Sequence, residues 1–262
     1  MNIGICGIGG RMGAAVYHAM IARAHVLGAA FDRLECPAFN KSVASLYPGA
    51  PENIFVTVIG RKQLAQCDVV IDFSSPEASM VLLDAVKDAG VPLVIGTTGI
   101  DDEGKSRIAQ VAQSVPVFYT ANMSLGVNIL CSLTELAARL CDEFDIEVCE
   151  AHHRHKKDAP SGTAKMLVER IKSVSHNAGK SEQYRQSGII GARAASEIGM
   201  QVIRGGDIVG EHTVFFIGEG ERIELTHRAT DRKVFANGAV RAAEYVVNKT
   251  PGLYSMKELL GL

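Results

Sequence analysis

The 262-residue sequence contains no tryptophan, and only 6 % of its residues are aromatic. It has no excess of either charge, because 27 Lys and Arg stand against 29 Asp and Glu, for a formal net charge of −2. A cationic field that would hold nucleic acid or an anionic membrane along the whole chain is therefore excluded. We expect no nucleic-acid or membrane partner, and any anionic ligand must be bound locally.

Long hydrophobic runs and leader features are also missing. No run approaches the ~18–20 apolar residues that a transmembrane helix needs. The first residues, MNIGICG, lack the basic segment, long apolar core and cleavage site of a signal peptide. The six cysteines form no CxxC pair, and several lie in apolar runs, which favours free thiols over a disulfide framework. These absences predict a cytoplasmic protein.

What the first half does contain is an alternation of short β-branched runs with helical patterns. The runs are apolar on both faces, as expected of strands covered by helices on both sides. They span 3–6, 26–31, 69–73, 93–95 and 115–119, with helical segments at 11–22, 76–89 and 101–114. The alternation predicts an α/β fold with a Rossmann-type doubly wound parallel sheet. The proline-containing stretch 35–52 interrupts it, and we interpret that stretch as a surface excursion.

After residue 122 the pattern changes. Apolar residues recur at helical spacing from 127 to 140, and a second helix is predicted at 163–173. Strand-like segments lie at 145–150, 200–204, 212–217 and 222–227. They predict a second α+β domain, 124–231, with a mostly antiparallel sheet. The first domain, 1–123, is expected to be completed by the C-terminal segment 232–262, whose helix at 234–247 closes its sheet.

A glycine-rich turn, Gly7-Ile8-Gly9-Gly10-Arg11-Met12-Gly13, follows the first predicted strand and opens the first helix. Because position 12 is methionine, the spacing is G-x-x-G-x-x-G and departs from the usual G-x-G-x-x-G. Glycines here permit a sharp turn and close approach of a pyrophosphate, which amides at the helix start then bind. With Asp32 about 20 residues further on, the context favours dinucleotide binding over a turn that only packs the chain.

Asp32 and Arg33 bear on which dinucleotide is bound. A carboxylate after the second strand accepts hydrogen bonds from ribose hydroxyls and repels a 2′-phosphate, whereas a neighbouring arginine pairs with that phosphate. Having both residues indicates tolerance of NADH and NADPH. The alternative is that Arg33 is an ordinary solvated side chain.

Two further turns lie at predicted carboxyl ends of strands, where ligands of such sheets bind. Gly96-Thr97-Thr98-Gly99 follows the strand at 93–95, and Thr120-Ala121-Asn122-Met123 follows the strand at 115–119. Their amides are candidates to hold the nicotinamide and its carboxamide. Helix capping by Thr98 and Ser124 is the alternative.

A cluster of three histidines and two lysines precedes a loop and a helix start in the second half. The cluster comprises His152, His153, His155, Lys156 and Lys157. The helix start that follows it, Ser161-Gly162-Thr163, offers amides and hydroxyls that suit a carboxylate. A lysine adds a positive charge and a transferable proton, so the residues favour a small acidic substrate.

Other interpretations of this cluster stay open. Cys149, His152, His153 and His155 form a short Cys/His tract of the kind that suits zinc, which would make the protein a zinc hydrolase. Two lysines beside the tract oppose a bound cation, and we predict no metal. A solvated surface loop is the second alternative for the cluster. For the protein as a whole, a third alternative is a nucleotide sensor that uses the glycine-rich turn without chemistry. The cluster argues against a sensor, because sensing needs no proton donors.

The segment 147–164, EVCEAHHRHKKDAPSGTA, resembles the signature of the 4-hydroxy-tetrahydrodipicolinate reductase family, also called dihydrodipicolinate reductase. Further segments resemble the family in the same order, at 7–13, 96–99, 122–128, 204–212 and 235–239. The resemblance therefore covers nearly the whole chain.

The resemblance implies roles for the candidate residues. In the cofactor site, it implies contacts from Gly7, Ile8, Gly9, Gly10, Arg11, Met12, Asp32, Arg33, Gly96, Thr97, Thr98, Thr120, Ala121, Asn122 and Met123. In the substrate site, it implies His152 as proton donor or acceptor, Lys156 as proton donor, and contacts from His153, Ser161, Gly162 and Thr163. Met123 stands where an aromatic is common, and only the motif register favours Lys156 over Lys157.

The implied reaction is NAD(P)H-dependent reduction of 4-hydroxy-tetrahydrodipicolinate, a small dicarboxylate, to tetrahydrodipicolinate on the route to diaminopimelate and lysine. Hydride addition delivers electrons toward the ring nitrogen, so a nearby acid must supply a proton. Reduction of another small dicarboxylate or imine is the alternative. The resemblance also implies a homotetramer with the sheets of the second domain at its centre.

Overall fold

The chain divides into two units in the computed structural model, which describes residues 1–185 and 187–262. One unit comprises Met1–Ser124 and Arg232–Leu262, and the other comprises Leu125–Asp231. Over the described residues, none of the helices is both long enough and apolar enough to cross a membrane.

A seven-stranded parallel sheet lies at the centre of the first unit. Its strands are β1 (Asn2–Cys6), β2 (Val26–Phe31), β3 (Val56–Thr57), β4 (Val69–Asp72), β5 (Leu93–Ile95), β6 (Pro116–Tyr119) and β12 (Gly252–Tyr254). They are ordered β12-β6-β5-β4-β1-β2-β3, and every neighbouring pair is parallel. The central strands are buried on both faces, as the continuous apolar runs predict.

Six helices belong to this unit. They are α1 (Arg11–Ala22), α2 (Arg61–Leu64), α3 (Pro76–Ala89), α4 (Asp102–Val111), α7 (Lys233–Val246) and α8 (Met256–Leu260). Helix α7 packs against α1 and over β4, β5 and β6. Gly238 makes this close packing possible, because a Cβ there would lie 1.7 Å from the carbonyl oxygen of Met123.

Local signals explain where α3 begins and ends. The Ser75 hydroxyl accepts a hydrogen bond from the Ala78 amide, and Pro76 occupies the first turn, where its missing N–H is not needed. The helix ends at Gly90, whose φ of 70° is left-handed and favours glycine. The predicted bounds 76–89 match the helix.

The stretch 35–52 is more than the surface excursion that its prolines predict. Val43 and Tyr47 are buried. The Tyr47 hydroxyl donates to the carbonyl of Ile8 at 2.5 Å, and its ring stacks on Tyr17 with centroids 4.6 Å apart. The prediction was wrong for these residues, because a single packed tyrosine leaves no periodic signal in the sequence. Through the bond from Tyr47 to Ile8, the stretch supports the glycine-rich turn.

The second unit packs two helices on one face of a five-stranded sheet. The helices are α5 (Leu125–Leu140) and α6 (Gly162–Lys172), and the strands are β7 (Asp145–His152), β8 (Ser181–Tyr184), β9 (Glu197–Arg204), β10 (Gly210–Ile217) and β11 (Arg222–Ala229). The order is β11-β10-β7-β9-β8. Val148, Val214, Phe216 and Leu167 are buried between the sheet and the helices.

The predicted fold class is confirmed, with one difference in this second sheet. It is mixed, and not mostly antiparallel as predicted: β10 pairs antiparallel with β7 and β11, whereas β9 pairs parallel with β7 and β8. The physical reason is α6, which carries the chain back to the same end of the sheet and so makes β8 parallel to β7. The edge strand β8 has too little apolar character to be predicted from sequence.

Candidate active site

The glycine-rich turn has a geometry that only glycine allows. Gly7 has a φ of +81°, and a Cβ on it would lie 2.5 Å from the carbonyl oxygen of Phe73. A Cβ on Gly13 would lie 2.2 Å from the carbonyl oxygen of Gly7. Glycine at these two positions therefore lets the turn pack against the end of β4 and lets α1 begin directly behind the turn.

The backbone amides of the turn divide into two groups. Those of Gly7 and Ile8 donate to Phe31 O at 2.9 and 3.3 Å, Gly10 N donates to Gly7 O, and Gly9 N donates to the Asp32 carboxylate at 2.8 Å. Helix α1 then starts without a side-chain cap. The amides of Arg11 and Met12, in its first turn, are consequently those available to an anion.

A cavity of about 510 Å³ lies beside the turn, within the usual range for ligand sites. Its lining includes Gly9, Asp32, Arg33 and the apolar side chains of Val58 and Val81. The Asp32 carboxylate is fixed at this edge because it accepts hydrogen bonds from the amides of Gly9 and Arg33. A glycine cradle, a fixed carboxylate and an arginine fit a dinucleotide's phosphates and ribose.

Asp72, at the end of β4, is a buried carboxylate that the sequence reasoning missed. It accepts hydrogen bonds from the Ser74 hydroxyl at 2.5 Å, the Ser74 amide at 3.1 Å, the Thr97 hydroxyl at 3.1 Å and the Ser79 hydroxyl. Burial raises the pKa of Asp72, and these hydrogen bonds partly offset that effect. Asp72 thus joins the turn after β4 to the turn Gly96–Gly99 after β5.

The two turns predicted to hold the nicotinamide end lie after the neighbouring strands β5 and β6. Gly96 and Thr97 are buried, with the Phe73 ring against Gly96, whereas Thr98 is exposed. Thr98 does not cap α4, because the Asp101 side chain accepts from the Gly104 amide and does so instead. Neither turn contributes to the lining of the 510 Å³ cavity.

In the turn after β6, side chains bond to the turn's own backbone. Thr120 Oγ1 accepts from Asn122 N at 3.3 Å, and Asn122 Oδ1 accepts from Ser124 N at 2.9 Å. Ala121 is exposed and Met123 is only 2 % exposed. Ala121 is therefore the exposed residue of this turn, and the amides of Asn122 and Ser124 are used within the turn.

The histidine cluster lies in the second unit, where β7 ends. His152 Nδ1 lies 2.5 Å from Oε2 of Glu150, which is completely buried. Arg204 donates to both oxygens of Glu150, at 2.8 and 2.9 Å, and the Ser161 amide donates at 3.0 Å. Neither Glu150 nor Arg204 was predicted as a site residue, although two-residue spacing already places Glu150 and His152 on one face of a strand.

Both buried imidazoles are disfavoured as cations. Burial lowers the pKa of His152, although the hydrogen bond to Glu150 opposes the effect. Burial and the neighbouring His152 lower the pKa of His212 to about 3. The two rings meet edge to face with centroids 5.1 Å apart, and His212 Nε2 lies 3.0 Å from Ser161 Oγ.

Lys156 and Lys157 differ in their surroundings. Lys156 is half-buried and its Nζ lies 2.9 Å from Asp158 Oδ1, whereas Lys157 is exposed. The hydrogen bond from Lys156 lowers the pKa of Asp158. His153 Nδ1 is buried and has no hydrogen-bond partner among residues 1–185 and 187–262, so it is suited to bond a ligand.

Helix α6 begins beside these groups. Ser161 is buried and caps the helix, because its hydroxyl accepts from Ala164 N at 3.2 Å. Gly162 is exposed, and a Cβ on it would meet no atom within 4 Å, while Thr163 follows in the first turn. The space next to this first turn is therefore open to an anionic ligand.

The zinc hypothesis does not fit the arrangement. Cys149 is on the opposite face of β7 from His152. Among the described residues, the group of potential metal ligands whose ligand atoms all lie within 4.8 Å of one another is Glu150, His152 and His212. The oxygens of Glu150 already accept from Arg204, and Arg204 and Lys156 both oppose protonation of His152 by their charge. The same positive charges disfavour a metal cation here.

Comparison with known proteins gives matches over both units. A family model described as "Dihydrodipicolinate reductase, N-terminus" matches residues 1–123, and one described as "Dihydrodipicolinate reductase, C-terminus" matches residues 126–260. A 4-hydroxy-tetrahydrodipicolinate reductase of Acinetobacter baumannii (strain AYE) is 48 % identical, covering 100 % of this chain and 96 % of the relative. One of Anaeromyxobacter dehalogenans (strain 2CP-1 / ATCC BAA-258) is 46 % identical, covering 98 % and 97 %.

Solved structures share the fold. A dipicolinate-bound dihydrodipicolinate reductase from Paenisporosarcina sp. TG-14 aligns with a TM-score of 0.78 and 24 % identity, covering 98 % of each chain. An amine dehydrogenase from Mycobacterium smegmatis aligns with a TM-score of 0.61 and 12 % identity, covering 98 % of this chain and 95 % of the other.

Replacing Asp72 with Asn should weaken dinucleotide binding. Only one of the two carboxylate oxygens would remain, and the NH₂ in place of the other could not accept from the donors of Ser74 or from those of Ser79 and Thr97, so one of the two turns would lose its acceptor. We expect the dissociation constants of NADH and NADPH to rise about tenfold or more, measured by fluorescence titration. Asp68→Asn, an exposed position at the other end of β4, is the control and should change neither constant. Unchanged binding in Asp72→Asn would contradict the role given to Asp72.

Proposed function

The chain belongs to the dihydrodipicolinate reductase family, and from this premise we propose how its two units divide the reaction. The protein is an NAD(P)H-dependent oxidoreductase that reduces 4-hydroxy-tetrahydrodipicolinate to tetrahydrodipicolinate in diaminopimelate and lysine biosynthesis. Residues 1–123 and 232–262 bind the dinucleotide, and residues 124–231 bind the substrate. The observation that carries this division is the His152–Lys156 cluster beside the open first turn of α6.

In the cofactor site, the amides of Arg11 and Met12 bind the pyrophosphate and the glycines provide the space for it. Asp32 accepts from a ribose hydroxyl, and Arg33 pairs with a 2′-phosphate when NADPH is bound. The turns 96–98 and 120–123 hold the nicotinamide end through their backbone. When bound, the reduced nicotinamide supplies a hydride.

In the substrate site, the amides of Gly162 and Thr163 and the imidazole of His153 bind the carboxylates. Nδ1 of His153, which is buried without a hydrogen-bond partner in the described part of the chain, supports this role. Ser161, buried beneath the helix start, holds this turn in place through Ala164 and His212. Fixing both carboxylates holds the ring in one orientation, which is the main requirement for accepting a hydride at a defined carbon.

The 4-hydroxyl group leaves as water together with one hydrogen of a neighbouring ring carbon. The conjugated ring that results takes up one hydride and one proton, so the net change is replacement of the hydroxyl group by hydrogen. Lys156 holds protons at Nζ and supplies one to the electron-rich ring nitrogen. Asp158, 2.9 Å from Nζ, keeps the ammonium in place before the substrate arrives. His152, at the end of β7, is the second group that exchanges a proton with the substrate.

We also propose that the protein is a cytoplasmic homotetramer joined through the second sheet. The face opposite α5 and α6 carries Phe215, Ile217 and Ile203, of which the last two are exposed. A sheet face that exposes apolar side chains is suited to a second copy of the chain. All six cysteines are free thiols, which supports a reducing compartment.

Lys156→Ala and His152→Ala should lose catalysis while retaining the cofactor. Removing a general acid lowers kcat on the order of 10²–10⁴-fold, and the dissociation constant of NADPH should stay within about twofold because neither residue belongs to the first unit. The assay follows NADPH oxidation with the product of dihydrodipicolinate synthase. Lys157→Ala is the matched control and should turn over normally; normal turnover by both test variants would overturn the site assignment.

Arg33→Ala should weaken NADPH binding by about tenfold or more and leave NADH binding almost unchanged, because only NADPH carries the 2′-phosphate. Titration of each variant with each coenzyme measures the effect. Arg107→Ala, which removes an arginine of the same unit outside the cavity lining, serves as the comparison. Equal losses for both coenzymes would refute the specific pairing.

The tetramer should have four times the chain mass of 28.0 kDa in light scattering coupled to size exclusion. Ile203→Glu should shift the protein to smaller species, because a carboxylate would be buried in the interface. Leu136→Glu on α5, where the leucine is 51 % exposed like Ile203, should leave the mass unchanged. A monomeric native protein, or an unaffected Ile203→Glu variant, would count against the proposal.

A further inference from the structure

The hydrogen bonds around Glu150 determine which ring nitrogen of His152 carries hydrogen. Oε1 of Glu150 accepts from Arg204 Nη2 at 2.8 Å and Ser161 N at 3.0 Å, and Oε2 accepts from Arg204 Nη1 at 2.9 Å. A carboxylate in this setting acts only as an acceptor. His152 Nδ1, 2.5 Å from Oε2, must then be the donor.

Arg204 keeps this carboxylate charged although it is completely buried. Its guanidinium meets both oxygens as a two-pronged donor, and it also donates to the carbonyls of Ile203 and Asp158 at 2.8 and 2.7 Å. The bond to Asp158 ties the arginine to the loop that carries Lys156. Glu150, Arg204 and this loop are therefore one connected network.

The other nitrogen of His152 is left open. Among residues 1–185 and 187–262, no hydrogen-bond partner of Nε2 is present, and Gly210 stands next to it on β10. A Cβ on Gly210 would lie 3.0 Å from Nε2, so the missing side chain preserves space there. A ligand atom can approach Nε2, whereas Nδ1 is closed off by Glu150.

We propose that Glu150, paired with Arg204, is a positioning residue that fixes His152 in the Nδ1–H form with the lone pair on Nε2. This inference rests on the proposed function only for the identity of the group that meets Nε2. In this form His152 receives a proton or a hydrogen bond at Nε2 in the resting enzyme. The proton that enters the ring nitrogen then comes from Lys156, so the two groups have different roles.

Glu150→Gln tests the proposal because it removes one acceptor oxygen at constant size. The remaining oxygen stays with Arg204 Nη2 and Ser161 N, two donors that cannot change, and the new NH₂ faces both His152 Nδ1 and Arg204 Nη1. The bond from Arg204 Nη1 is lost, whereas His152 can accept from the NH₂ by moving its hydrogen to Nε2. We expect kcat to fall on the order of 10²-fold, with KM and the NADPH dissociation constant within about threefold.

Two companion variants separate positioning from general loss of an ion pair. Glu244→Gln, in the first unit, also removes a carboxylate that meets an arginine and a histidine, Arg23 and His25. It should keep the native kcat. Glu150→Asp keeps the charge and should recover part of the activity. A Glu244→Gln variant as slow as Glu150→Gln would overturn the specific role of Glu150.

Magic-angle-spinning NMR of protein labelled with ¹⁵N-histidine reads the tautomer directly and does not depend on turnover. The His152 signals, assigned by their loss in His152→Asn, should show Nδ1 protonated and Nε2 unprotonated at neutral pH in the native protein. Glu150→Gln should reverse the pair. A native Nε2–H form overturns the proposal even if Glu150→Gln fails to fold.

The same measurements separate this inference from the proposed function. A native Nδ1–H signal in a protein that oxidises neither NADH nor NADPH with the substrate would support the positioning by Glu150 and refute the proposed reaction. Normal turnover with the opposite tautomer would support the reaction and refute the positioning.

Discussion

A buried carboxylate must be surrounded by hydrogen-bond donors, and each unit of this chain buries one next to its functional turns. In the first unit Asp72 gathers hydroxyls from the turns after β4 and β5. In the second, Glu150 gathers Arg204, His152 and the start of α6. Donors drawn from segments far apart in sequence are thereby held at fixed positions, and the geometry of both sites depends on that requirement.

The first sheet was predictable because its signals are local. Strands buried on both faces are continuous apolar runs, and α3 carries its own cap, its proline and its terminal glycine within a few residues. The glycine-rich turn and the signature 147–164 are likewise contiguous. Where the signal is weaker, the prediction failed: the two-residue strand β3 and the polar edge strand β8 have no pattern that sets them apart from loops.

The supporting residues of the site could not be predicted, because they are brought together from distant parts of the sequence and share no local signal. Glu150 and Arg204 are 54 positions apart, and Asp72 and Thr97 are 25 apart, so no spacing in the sequence relates them. Which amides of the glycine-rich turn are available to a ligand could not be predicted either. The motif marks all of Gly7 to Met12, but only the fold shows that the first four amides are used internally.

The return of segment 232–262 to the first unit has a consequence for biosynthesis. Helix α7 covers β4, β5 and β6, and its Gly238 rests on the backbone of Met123, so the core of that unit contains residues from both ends of the chain. Residues 125–231, by contrast, are contiguous. During synthesis the second unit can therefore complete its core first, whereas the parallel sheet of the first unit keeps one face incomplete over β4, β5 and β6 until α7 has been translated.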